Sequence, residues 1–274
     1  MKNRRLLPSY ERPPVQEVAL AVQYRAQLTP KTADLVGFWQ TVRDRFPEVE
    51  DLQPLIGAEE RVGSFELLQL PPLRRLRMSD PAGQVSIQLQ ETHFITNWVK
   101  TSPEAVYPRF KTIYKDFEKY YNRLLAYFSD NKLGNVSAVN FELTYVNELG
   151  QVSPDLMSRL PGILKLYNWD SEETAFLGTP SAINLIWQLP MPVGAGKMLI
   201  TVNTARRLDG SEVILLIFKC FGPAVNLASE AEIEDWFEAA HESIVRGFTE
   251  LTTADAHLDW GRIDERTTSD SSSQ

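Results

Sequence analysis

Between residues 110 and 128 the large apolar side chains fall at Phe110, Ile113, Tyr114, Phe117, Tyr121, Leu124, Leu125 and Phe128. Steps of three and four keep them on one face of an α-helix for more than four turns, and such a face must be covered by a sheet or by another helix. The pattern returns at a shift of about 123 positions. Phe110 falls on Ile233, Ile113 on Trp236, Tyr114 on Phe237, Phe117 on Ala240, Tyr121 on Ile244, Leu125 on Phe248 and Phe128 on Leu251, and only Leu124, which meets Gly247, breaks the match. Helical stripes look alike, so the match needs independent support. Leu20, Val22 and Tyr24, alternating as one face of a strand, fall on Phe141, Leu143 and Tyr145 at a shift of about 121. The helix-opening pair Thr29-Pro30 falls on Ser153-Pro154 at about 124. Three features in the same order at nearly one offset indicate an internal duplication.

The remaining signals fill in the repeated unit. After Thr29-Pro30, Leu35, Phe38, Trp39, Val42 and Phe46 give a short helix. Strand-like runs follow at 64–70, 73–79 and 84–90, with Asp80-Pro81-Ala82-Gly83 as a turn, and Ser102-Pro103 opens the long helix. In the second half, Ser153-Pro154 opens a short helix, runs at 182–189, 198–205 and 212–221 read as strands, and Ser229-x-x-Glu232 is a capping box before the last helix. The expected fold class is α+β: two tandem β-α-β-β-β-α units forming a curved antiparallel sheet backed by two long helices. That order of elements resembles the TATA-binding-protein fold, with sliding-clamp domains and helix-grip proteins as neighbours, and carries no function by itself. The expected boundaries are an N-terminal arm at 1–14, units at 15–131 and 132–264, and a disordered polar tail at 265–274.

Composition narrows the function. A 43% apolar and 23% charged chain is ordinary for a globular protein, and a net charge of −8 opposes attraction to phosphate backbones, so nucleic-acid binding is not expected. The one dense basic cluster, Arg74, Arg75 and Arg77, reads as a solvated strand edge. The single cysteine, Cys220, sits in an apolar run and reads as a small buried hydrophobe. Met1-Lys2-Asn3-Arg4-Arg5 has no apolar run behind it, and the longest apolar stretch, 213–218, is too short to span a bilayer. A cytoplasmic protein with no membrane contact is expected.

Catalytic constellations are missing. Gly194-Ala195-Gly196-Lys197 lacks the earlier glycine and the following Ser/Thr of a phosphate loop and reads as a hairpin turn. His257-x-Asp259 has no nearby Cys or His to complete a metal site, so no metal or cofactor is expected. His93 reads as structural. His241 lies one residue past an apolar helix position, with Glu238 and Glu242 at −3 and +1, and serves either packing or binding. Trp98, Tyr107 and Trp260 are the aromatics placed to meet a ligand or partner. Trp260, a short tether from Leu251, is expected to dock on the last helix.

These residues also carry a resemblance. Arg12-Pro13-Pro14-Val15-x-Glu17-Val18, Asn97-Trp98, Tyr107-Pro108, Tyr145-x-Asn147, His241-x-x-Ile244-x-x-x-Phe248-x-x-x-Thr252 and Trp260-Gly261 together resemble a sporadically distributed, uncharacterised bacterial family. The resemblance spans nearly the whole chain and transfers no catalytic residue. It implies mobile genes of the defence or toxin–antitoxin kind, hence a bacterial accessory protein with a protein partner encoded nearby. The leading expectation is a non-enzymatic protein-binding subunit, with homo-oligomerisation open. The rivals are an enzyme or small-molecule sensor with a pocket between the half-repeats that uses His241, and a nucleic-acid-binding saddle.

Overall fold

The computed structural model describes residues 6–55, 74–167, 169, 176–207, 209–224 and 230–263. The expected strand at 64–70, Ser229 of the capping box and the tail at 265–274 lie outside these residues. In chain order the strands are β1 (Ser9–Tyr10), β2 (Val15–Ala26), β3 (Glu48–Leu52), β4 (Arg75–Ser79), β5 (Val85–Gln90), β6 (His93–Val99), β7 (Val136–Gln151), β8 (Asn184–Pro190), β9 (Lys197–Arg206), β10 (Glu212–Pro223) and β11 (Arg262–Ile263). The helices are α1 (Thr32–Gln40), α2 (Phe110–Asp130), α3 (Pro154–Arg159), α4 (Glu230–Leu251) and α5 (Ala254–Asp259). The protein is α+β. Nine strands form a large open antiparallel sheet in the order β3-β4-β5-β6-β2-β7-β10-β9-β8, and β1 pairs with β11 separately.

The chain divides into two compact units: Gln16–Tyr145 with Phe221–Phe237, and Met1–Val15 with Val146–Cys220 and Glu238–Gln274. In the first, the alternation of β2 buries Val18, Leu20, Val22 and Tyr24. Phe94 of β6 lies beside that row and meets Phe117 and Tyr121 of α2 at 6.2 and 5.7 Å, with Phe38 of α1 at 6.5 Å. Both helices therefore cover one face of the sheet. Phe237 of α4 closes the same layer, 4.9 Å from Phe117 and 5.5 Å from Phe141 of β7. In the second unit, the later turns of α4 lie on β9 and β10. A Cβ added at Gly247 would meet Phe218 and Met198, and Phe248 packs 6.3 Å from Phe218.

Several local expectations are corrected. α1 starts two residues later than Thr29-Pro30 implied, because the Asp34 carboxylate accepts the Lys31 N–H at 2.7 Å and fixes the first turn there. α2 starts at Phe110 rather than behind Ser102-Pro103. Two strands without a clear apolar alternation, β3 and β6, join the first half. In the described part of the N-terminal arm, Ser9 and Tyr10 pair with Ile263 and Arg262 and Tyr10 is buried. The cluster Arg74, Arg75 and Arg77 does not mark a sheet edge, because β4 is paired on both sides and Arg77 bonds Glu50 of β3 at 3.0 Å. Ser153 does cap α3, accepting from Leu156 N at 3.1 Å. Residues 191–196 form the hairpin turn between β8 and β9, closed by Met191 N–H donating to Gly196 O at 3.0 Å, with Gly194 at φ 79°.

Candidate functional site

Trp98 sits on β6 with Val18 on one side and Val85 on the other, and is buried, as is Val18. Tyr107, in the segment before α2, lays its ring 5.5 Å from Trp98 and shares a hydrogen bond with Tyr145 of β7, Oη to Oη 2.9 Å. Burial pushes the Tyr107 phenol up to about 12, against the smaller opposing effects of that hydrogen bond and of Arg109. Arg109 places its guanidinium 5.9 Å above the Tyr107 ring and holds φ 70°, ψ 152°, a backbone region almost reserved for glycine. Asn97, one residue along β6, points to the other face, where its Oδ1 accepts from Gln88 and its Nδ2 donates to Glu17. This group packs and hydrogen-bonds.

Trp260 follows α5, which Thr253 caps by accepting from Ala256 N. Its ring lies 5.0 Å from Phe248 of α4 and 6.2 Å from Tyr10, as its short tether requires. Tyr10 Oη bonds Thr249 Oγ1 at 2.9 Å. His257 is buried beside them. Thr252 Oγ1 donates to Phe248 O at 2.6 Å, so the 2.8 Å contact to His257 is a bond donated by Nε2–H, leaving Nδ1 to accept from Arg262 Nη1 at 3.3 Å. Both ring nitrogens are engaged structurally. Among the described residues no group of three His, Cys, Asp or Glu side chains is placed to hold a metal ion.

His241 is half-buried on α4, and burial lowers its imidazole to about 3. Cys220 is fully buried, its Sγ 3.8 Å from Ala240 O, and burial raises its thiol to about 12. The four sequence-chosen residues divide between the units: Trp98 and Tyr107 touch in one, while His241 and Trp260 belong to the other.

The feature that sequence reasoning passed over is β8. Among the described residues it pairs only with β9, Asn184 opposite Asn203 through Pro190 opposite Lys197. Thr204 N–H donates to Ile183 O and Met191 N–H to Gly196 O, which makes the odd-numbered residues those bonded to β9. By the alternation of an antiparallel ladder, the backbone N–H and C=O groups of Asn184, Ile186 and Gln188 point to the open edge. Ile186 is 60% and Leu189 44% exposed. On the face opposite Ile186, which Leu189 shares, Leu185 and Trp187 line a shallow apolar recess with Leu166, Tyr167 and Val202. The Tyr167 hydroxyl there is buried and meets no hydrogen-bond partner among the described residues. Just upstream, Phe176 and Leu177 are 99% and 69% exposed. The sequence signal was available: no charged residue occurs from 176 to 196.

No protein-family model matches the chain, and no curated protein matches it in sequence. No described helix is long and apolar enough to cross a membrane.

Proposed function

We propose that this chain is a non-enzymatic protein-binding subunit of a bacterial cytoplasmic accessory system, antitoxin-like or part of a defence complex, and that it binds protein through β8. The observation that carries this reading is an uncharged strand at the edge of the described sheet, its outward backbone groups met by no other described strand, with exposed Ile186 and Leu189 and an apolar recess beside it. Folded proteins normally guard such an edge with charge, proline or a bulge, and the opposite edge, β3, carries Glu48, Glu50 and Asp51. An edge without charge, whose one proline lies at its far end, suits strand addition over 184–188, in which main-chain bonds supply affinity and flanking pockets select side chains.

The tandem β-α-β-β-β-α arrangement belongs to the same proposal. Reading outward from β2 the sheet runs β6, β5, β4, and outward from β7 it runs β10, β9, β8, with β3 an addition to the first half. This mirrored order supports two copies of one unit and the TATA-binding-protein-like likeness. Against the enzyme reading, an imidazole at about 3 is too weak a base for work near neutral pH, and the buried thiol stays protonated. Against the nucleic-acid saddle stands the net charge of −8.

The test is a photo-crosslinking residue placed at Gln188, and for comparison at Lys115 on the exposed side of α2, in the native host. The expected result is a protein adduct from position 188 only. No adduct at 188, or equal adducts from both positions, refutes the reading.

A further inference from the structure

The outward-facing pattern of β8 is symmetric about its own centre. From Ile183 to Leu189 the chain reads Ile-Asn-Leu-Ile-Trp-Gln-Leu. Reversed, apolar meets apolar and amide meets amide at every position. Few strands read the same in both directions, and a strand that does is complementary to an antiparallel copy of itself. We infer that the occupant of the β8 edge is a second copy of this chain, joined by a two-fold axis at Ile186. This inference rests on the protein-binding reading and names the partner at that site.

The register follows from the residues whose backbone groups point outward. Ile186 pairs with Ile186 of the second copy, and Asn184 with Gln188, each pair exchanging two main-chain hydrogen bonds. The carboxamides of Asn184 and Gln188 then lie opposite each other, where each has both a donor and an acceptor. Between them Leu185 faces Trp187 on the recess side, and Ile183 faces Leu189. Ile186, 60% exposed in the single chain, packs on its own image.

Charge selects the same occupant. β8 carries no charged side chain, so pairing it with itself sets no like charges opposite each other even though each chain is net −8. Lys197, at the hairpin end, pairs with Pro190 inside its own chain, one strand back from the seam. The remaining candidate edge, β3, is excluded from self-pairing by its three carboxylates. Pro190, which has no N–H, ends the run of donors and limits the seam to the stretch before it.

Cysteine crosslinking reads the register directly. Hydrogen-bonded pairs in an antiparallel ladder bring Cα atoms to about 5.5 Å, which suits a disulfide, and the native Cys220 is buried away from the reaction. Mild oxidation of Ile186→Cys is expected to give a covalent dimer. Asn184→Cys alone is expected to give none, because its own image lies four residues away along the seam. Mixing Asn184→Cys with Gln188→Cys is expected to restore the crosslink. By sedimentation equilibrium the unmodified protein is expected at twice the chain mass, and Ile186→Lys at the chain mass with unchanged circular dichroism. An unmodified protein that stays at the chain mass at about 100 µM overturns the inference, as does a crosslink from Asn184→Cys alone as efficient as that from Ile186→Cys. If the protein is monomeric while position 188 crosslinks to a different protein, the second-copy inference fails and the protein-binding reading stands.

Discussion

Acid should weaken this fold through His241. Its imidazole is held at about 3 in the folded chain by burial, against an ordinary value of 6.5. Above pH 6.5 both folded and unfolded chains carry it neutral, and it adds no pH dependence. As the pH falls through 6.5 the unfolded chain takes up a proton that the folded chain refuses until about 3, so stability is lost on acidification. The slope in that window is about 1.4 kcal/mol per pH unit, which makes about 2 kcal/mol between pH 7.5 and 5. His241→Gln keeps a similar shape and has no proton to gain. The carboxylates and the other two histidines are common to both proteins and cancel in the difference. Denaturant unfolding of both, followed by tryptophan fluorescence at several pH values, should show wild type losing about 2 kcal/mol relative to His241→Gln between pH 7.5 and 5. A difference that stays flat within about 0.5 kcal/mol would show that water reaches the ring and that the burial argument is wrong.

Three further outcomes follow from the packing. Trp260→Ala strips a half-buried ring from Phe248 and Tyr10 and should cost about 2 kcal/mol, less than a fully buried tryptophan, read from the shift in denaturant midpoint. Arg109→Gly exchanges a strained φ of 70° and a weak contact with the Tyr107 ring for a glycine at ease there; it should stabilise by about 1 kcal/mol, and a loss of stability in thermal unfolding would contradict the strain. Gly247→Ala adds a methyl at ordinary contact distance, 3.4 Å from Phe218 and 3.5 Å from Met198, so it should gain up to about 1 kcal/mol of helix preference, measured as a higher melting temperature.

The long helices and most strands of the second half were legible because each keeps one buried face, and periodicity reports burial. β2, β7, β9 and β10 alternate, and 110–128 holds its stripe without interruption. β3 escaped because Glu-Val-Glu-Asp-Leu buries almost nothing: its pattern is exposed along nearly its whole length, and it is a strand through its bonds to β4. β6 escaped for the opposite reason. Phe94 through Trp98 are buried on both faces, which erases the alternation. The site residues were chosen as conspicuous aromatics, and two of them, Trp98 and Tyr107, do meet. The β8 edge was read correctly as a strand, but its meaning lies in what it does not touch, and a single strand's sequence does not say which side of it stays open.

The pairing of Ser9 and Tyr10 with Ile263 and Arg262 has a consequence for how the molecule comes into being. It closes a loop of about 250 residues, among the costliest closures in the chain at roughly 5 kcal/mol of configurational entropy. Ser9 and Tyr10, made about 250 residues before their partners, therefore wait unclasped until α5 and Trp260 have emerged to receive them. Tyr10 then slides beneath Phe248 and Trp260 as a latch closed from the far end of the chain. A stalled ribosome should leave the unit around residues 146–220 open to protease, whatever the state of the strands and helices already made.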